Sequence, residues 1–231
     1  MSIRKNSAKP RETACDTNDT RIKIILAAER LFGEHGIDGV SLRQIRLDAG
    51  QSNNSAVHYH FDDRADLISA ILQFRVDQME PARRQMIDEM RSTGRESDLR
   101  SLLKTLLIPQ LNITDEAGGH PYVRFTSEYL TRFRAKGIAH PGDSFKNAPA
   151  LADLMELYYD AMFGFDRDIA LLRLNAATLV FLNLIISWDA GLTFEGQRHD
   201  LELVIDEALT MATAALQAPP SKSLRARYQK G

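Results

Sequence analysis

Apolar residues recur at helical spacing from Thr20 to Gln217, and no alternating apolar–polar stretch persists long enough to make a strand. This pattern confines the chain to an all-α fold. After two short helices described below, candidate helices fall at about 64–80, 82–92, 97–112, 121–135, 149–163, 167–191 and 198–217. Pro81 is expected to break or kink the first of these into the second, and Pro109 to kink the third. Gly137, Pro141 and Gly142 mark 136–148 as a loop. Residues 1–18 are polar and aperiodic and read as a flexible arm, with Arg4, Lys5, Lys9 and Arg11 in it. Residues 218–231 read as a basic disordered tail, opened by Pro219-Pro220 and carrying Lys222, Arg225, Arg227 and Lys230. The division expected between the two is a small helical domain over 19–67 and a larger one over 68–217.

The small domain carries the sharpest local signals. Its first helix is predicted from about Thr20 to His35, with Ile24, Ala28 and Leu31 on one stripe and Ile25 and Phe32 widening it. Gly36 supplies the left-handed residue that ends it. Ser41 and Gln44 then have the spacing of a capping box, and Val40 and Ile45 that of a hydrophobic staple. A short helix follows with Leu42, Ile45 and Ala49 inward, and Gly50 closes it. A second short helix is predicted over 53–60, and Asp62-Asp63 can cap the next. Two short helices joined by a glycine turn form a helix-turn-helix. At about 100° per residue, Val57 and Phe61 point inward while Asn54, Ser55, His58 and Tyr59 point out. That outer face holds donors, acceptors and a ring but no carboxylate, which suits base edges and phosphates in a major groove.

Bulk charge adds little. The formal net charge is −2, and residues 1–64 hold ten lysines and arginines against nine acids. Motif geometry therefore has to carry any nucleic-acid assignment. The 44% hydrophobic and 26% charged composition is that of an ordinary globular chain. No uninterrupted apolar run reaches the roughly 20 residues of a membrane span, and no secretory signal is seen, so the cytoplasm is the expected compartment and no membrane partner is expected. The single cysteine, Cys15, excludes an intramolecular disulfide and a cysteine-rich zinc site. His58 and His60 are two apart, which puts them on different sides of a helix rather than in the i, i+4 arrangement of a zinc pair. No metal or cofactor is expected. Nucleophile-elbow, P-loop, H-E-x-x-H, C-x-x-C and dinucleotide patterns are all missing, so an enzyme is not expected.

The string Thr20-Arg21-x-x-Ile24-Ile25-x-Ala27-Ala28-x-x-Leu31-Phe32-x-x-x-Gly36 resembles the first helix of the TetR family. Ser41-Leu42-Arg43-Gln44-Ile45 resembles the second, and Ala49-Gly50, Tyr59-His60-Phe61, Arg64 and Leu67 resemble the turn, recognition helix and start of the fourth. The match spans about residues 20–72. Two departures stand out. The segment 50–61 is one residue longer than the commonest family version, and Arg64 stands where many relatives carry lysine.

The resemblance implies a ligand-responsive repressor that binds a palindromic double-stranded DNA operator as a homodimer and is released by a small-molecule effector. Its DNA-binding set is then Ser41, Arg43, Gln44, Gln51, Ser52, Asn53, Asn54, Ser55, His58, Tyr59, His60 and Arg64, with Ser41, Arg43 and Arg64 on phosphates. Plain ion pairs of Arg43 or Arg64 with Asp48, Asp62 or Asp63 remain the alternative. The resemblance also implies an effector-binding and dimerisation domain over 68–217. Its pocket would take an apolar or aromatic ligand, and Phe125, Tyr129, Phe133, Tyr159, Phe163, Phe181 and Trp188 are candidates to line it, against the alternative that they are ordinary core. Helices 167–191 and 198–217 are the candidate dimer seam, against burial within one subunit. A ligand-independent architectural or activating DNA-binding protein is the competing function.

Overall fold

A computed structural model describes residues 14–53, 56–144, 146–191 and 196–228. Its elements are helical, in the order α1 (Ala14–His35), α2 (Leu42–Asp48), α3 (Ala56–His60), α4 (Arg64–Ser92), α5 (Leu99–Leu111), α6 (Pro121–Glu128), α7 (Pro149–Ala161), α8 (Arg167–Asp189), α9 (Leu201–Gln217) and α10 (Lys222–Tyr228). The all-α expectation holds, and three boundaries move. Helix α1 starts at Ala14, so the end of the expected arm is helical; Arg4, Lys5, Lys9 and Arg11 lie outside the described residues. The tail forms the short α10. Most consequentially, α4 runs unbroken through Pro81. The ring faces solvent, while Val76, Met79, Arg83 and Ile87 bury the opposite side on both flanks of it. Packing thus outweighs the single backbone bond that proline removes.

The local signals of the small domain are realised. Ser41 and Gln44 form the reciprocal capping box: the Gln44 N–H donates to Ser41 Oγ at 3.2 Å and the Ser41 N–H to Gln44 Oε1 at 2.8 Å. Val40 and Ile45 are buried beneath it. Asp63 caps α4 by accepting the Asp66 N–H at 2.9 Å. At the end of α2, Gly50 takes φ +68°, its N–H bonds Leu47 O, and the Gln51 N–H bonds Arg46 O. Those two bonds make a Schellman turn, which only a left-handed residue at position 50 permits without strain.

Three apolar clusters fill the interior. One joins Ile24, Ile25, Ala28 and Phe32 of α1 to Ile45, Val57, Phe61 and Leu67, and continues into Tyr122 and Phe125 of α6. A second is built on α8 and α9 with α5 and the end of α7, and a third lies between α4, α5 and α7. The first cluster crosses the expected 67/68 division, as does α4. The small domain is therefore not a separate core. Gly33 explains the close seat of α6 on α1: a Cβ there would stand 3.0 Å from Arg124 Cβ and 3.1 Å from Pro121 O. Beside this contact the Arg75 guanidinium grips Glu29 with two bonds of 2.6 and 2.7 Å, tying α4 to α1 in a nearly dry setting. Burial nevertheless pushes the Glu29 carboxyl above the usual carboxylate range, against the pull of Arg75.

The helix expected over 121–135 is regular only to Glu128. A π-helical turn, Tyr129–Phe133, and a 3-10 turn, Arg134–Lys136, follow it. Helix α8 is long and apolar enough, by length and composition, to cross a membrane, contrary to the expectation that no such stretch occurs. In the fold it is the spine of the body, packed along α9 and against α5 and α6.

Two stability outcomes follow. Ser41→Ala should lower unfolding free energy by about 0.5–2 kcal/mol through loss of the cap, read by urea denaturation. Glu29→Gln should cost about 3–5 kcal/mol, because it leaves a buried guanidinium unmatched, whereas the double change Glu29→Leu with Arg75→Met should recover most of that loss.

Candidate nucleic-acid interface

Helix α3 is held from below. Val57 and Phe61 are buried, and the Arg21 guanidinium lies 5.1 Å over the Phe61 ring, binding α3 to α1. The Schellman turn and the Arg46 guanidinium, which donates to Gln51 O, fix the angle at which α3 leaves α2. With the inward face anchored, His58 and Tyr59 stand in solvent, and the Tyr59 ring is 72% exposed.

The other expected contact residues divide into three groups. Arg43, Ser52 and Asn53 are exposed on or between α2 and α3, and Arg43 has no hydrogen-bond or ion-pair partner among the described residues. Asn54 and Ser55 lie outside the described residues. The remainder already have intramolecular roles. Ser41 and Gln44 serve the capping box, although both stay exposed. The Gln51 amide folds back to Ala49 O at 3.1 Å. His60 is half-buried, with its ring edge-on to Tyr59 at 5.0 Å. Arg64 donates to Ile37 O and so ties the start of α4 to the loop after α1. Asp48, the alternative partner for Arg43 or Arg64, is taken by Arg30 instead, which also meets Glu34 at 3.0 Å. The outward surface of α2, α3 and the turn between them thus leaves Arg43, Ser52, His58 and Tyr59 open to solvent.

None of the aromatic residues expected to line an effector pocket lines the cavity described below. Phe125, Tyr129 and Phe133 are buried in the first core cluster, with Phe125 stacked on Phe32 at 6.4 Å. Phe181 is buried between α8 and α9. Phe163 is 91% exposed in the turn before α8. Tyr159 lies under the Arg167 guanidinium at the surface, and Trp188 bonds His199 O at 2.8 Å through its indole N–H. Arg124 is spent on the Asp189 carboxylate at 3.4 Å, alongside His120, whose backbone and ring reach the same carboxylate at 2.8 Å.

A cavity of about 90 Å³ does exist in the body, between α4, α5, α6, α7 and α8. Its walls include Leu106, Leu130, Leu151, Met155, Leu171 and Leu174, and its polar lining includes Arg83, Gln110, Tyr122, Thr126, Arg134, His140 and Asp143. Arg134 and Asp143 pair with each other at 2.8 Å. His140 Nδ1 accepts the Gly142 N–H at 3.1 Å, and burial, helped by Arg134, holds its pKa down to about 3, so the ring is neutral. Sequence pattern held one usable sign of this site. Arg83 falls four residues after Met79 and four before Ile87, a charge set into a buried stripe.

Comparison with known proteins bears on the N-terminal third. The family model for bacterial regulatory proteins of the tetR family matches residues 24–71. Over 62 residues the chain is 36% identical to the HTH-type transcriptional repressor BepR of Brucella suis biovar 1 (strain 1330), covering 27% of this chain and 29% of that protein. Over 61 residues it is 38% identical to the HTH-type transcriptional regulator AcrR of Shigella flexneri, covering 26% and 28%. The aligned part is thus less than a third of either relative. The fold as a whole is similar to the crystal structure of a TetR family transcription regulator from Marinobacter aquaeolei VT8, with a TM-score of 0.54 at 20% identity over 88% of this chain and 98% of that one. Residues 24–71 are thus similar in sequence to the tetR family of bacterial regulatory proteins, and the whole helical chain is similar in fold to a solved TetR family regulator.

Proposed function

We propose that the chain is a ligand-responsive transcriptional repressor, acting in the cytoplasm, that binds a palindromic operator as a homodimer and is released by a small-molecule effector. The observation that carries this reading is the outward side of α3, where Val57 and Phe61 hold His58 and Tyr59 in solvent beside the unpaired Arg43. Such a face enters a major groove, with Arg43 on a phosphate. Repression, rather than another regulatory sense, is supported by the likeness of residues in the N-terminal third to the Brucella repressor.

The dimer is supported by apolar side chains left open on α8 and α9: Leu172 is 63% exposed, and Leu203 and Met211 are each 51% exposed. Two recognition helices held across such a seam would meet half-sites roughly 34–36 Å apart. The effector reading is supported by the cavity, because α6 lines it with Tyr122 and Thr126 and packs on α1 through Phe125. A ligand that prefers one placement of α6 shifts the population of DNA-competent protein by its difference in affinity for the two states.

Selection of bound duplexes from a random pool should return an inverted repeat; retention that is independent of sequence would overturn the proposal. Against the selected site, His58→Ala and Tyr59→Ala should each cost about 1–3 kcal/mol of binding, while Arg43→Ala should weaken all sequences evenly and lower the salt slope by about one per protomer. All three positions are exposed, so thermal midpoints should stay close to that of the parent chain. Leu172→Glu combined with Met211→Glu should convert the dimer to monomer in sedimentation velocity.

A further inference from the structure

Helix α4 buries two guanidinium groups eight residues apart, and treats them differently. Arg75 is matched by the Glu29 carboxylate and by Gln78 Oε1 at 2.8 Å. Arg83 is 2% exposed, yet its Nε and Nη1 make no hydrogen bond. Its Nη2 reaches only Met79 Sδ, at 3.5 Å. The nearest carboxylate, Glu80, stands 4.0 Å from Nη1, and both its oxygens already accept backbone N–H groups at the start of α7, from Ala150 at 2.6 Å and Leu151 at 3.0 Å. A buried guanidinium cannot shed its proton, and leaving it without oxygen partners is among the least favourable arrangements an interior can hold.

Arg83 lines the cavity of the body, and it is not alone there. Gln110 Oε1 and Thr126 Oγ1, from α5 and α6, line the same cavity and are also buried without a hydrogen bond. Three unsatisfied side chains from three helices meeting on one space are far from the ordinary scatter of such groups. The other charges on the wall cancel, Arg134 against Asp143, and His140 is neutral. Arg83 is therefore the one charge on the cavity wall with no counter-charge on that wall, the Glu80 carboxylate 4.0 Å away lying off it and engaged by α7. Beyond the polar groups, Leu106, Leu151, Met155, Leu171 and Leu174 form an apolar wall.

We propose that this cavity binds a small amphipathic monocarboxylate, its carboxylate on the Arg83 guanidinium with Thr126 and the Gln110 amide completing the head-group contacts, and its apolar part against the leucines. Arginine suits this head group because its planar donors match carboxylate oxygens. The Gln110 amide, turned about its last bond, offers N–H in place of oxygen. Inorganic phosphate satisfies the charge but leaves the leucine wall unfilled. The volume, about 90 Å³, corresponds to about three waters, which favours short aliphatic or single-ring acids over large drugs. The identity of the ligand deepens the effector reading above and rests on it only for the effect on DNA.

The test uses the full chain and thermal melts at fixed ionic strength. The probes are butyrate, hexanoate and benzoate, each against its neutral amide, with inorganic phosphate as the headgroup-only control. At least one acid should raise the melting temperature in a concentration-dependent way by mass action, and its amide and phosphate should not. By calorimetry Arg83→Met should weaken that acid by about 30-fold or more, while the unliganded variant melts at or above the parent, because a buried guanidinium without oxygen hydrogen-bond partners has been removed. Thr126→Val should weaken binding without unfolding the chain, which keeps the test open if Arg83→Met fails to fold. Equal shifts by acid and amide, a response to phosphate matching that to the acids, or no response to any acid would overturn the proposal. Operator release is read separately: an acid that binds through Arg83 yet leaves operator affinity unchanged overturns the effector reading and keeps the site, whereas operator binding with no response to any acid overturns the site and keeps the regulator.

Discussion

Gly33 brings the backbone of α6 so close to α1 that any side chain at this position would meet Arg124 and Pro121. That approach lets Phe125 reach Phe32 and merges the interior beneath α2 and α3 with that of the body. The orientation of α2 and α3 is thereby referred to α6 through α1, because the same cluster that anchors Val57 and Phe61 also holds Tyr122 and Phe125. A helix with one face in a cavity and the other in this shared core cannot shift without both surfaces responding. Its N-terminal end is fixed to α8 by the buried Asp189 carboxylate, and its C-terminal end gives way to a π turn, a geometry less regular and more often tied to function than the helix before it.

Helix α4 supplies the second connection, and its charges show two solutions to one problem. Near the head a buried arginine is neutralised within the chain, which fixes α4 against α1 at a specific register. One helical segment later a buried arginine faces open space instead. The first arrangement makes the joint rigid; the second leaves an interaction to be completed by something from outside. Continuity of α4 through Pro81 places both on one rod.

The head was legible because its determinants are local. The Ser41–Gln44 box, the Val40–Ile45 staple, Gly50 and Asp63 act over three to five residues, and their physics does not depend on distant packing. Within the described residues the inward Val57 and Phe61 and the outward His58 and Tyr59 followed from period alone. The body was legible only as helix count. Unbroken α4 and the π turn after Glu128 are decided by neighbours far away in sequence, which residue pattern does not report. Pattern did not locate the cavity for a related reason: Phe125, Tyr129 and Phe181 are fully buried in the core and lie away from its walls. Polar residues in apolar stripes, Arg83, Gln110 and Thr126, were the better sign of a lined interior.

Trp188 is the one tryptophan in the chain. Its indole sits at the end of α8, with the Arg198 guanidinium 4.0 Å above the ring and His120, the residue that begins the α6 anchor, 6.5 Å away. Indole emission responds to nearby charge and to solvent. The molecule therefore carries a single indole at the junction where α6 meets α8, and any rearrangement of that junction is written into the indole emission without a label being added.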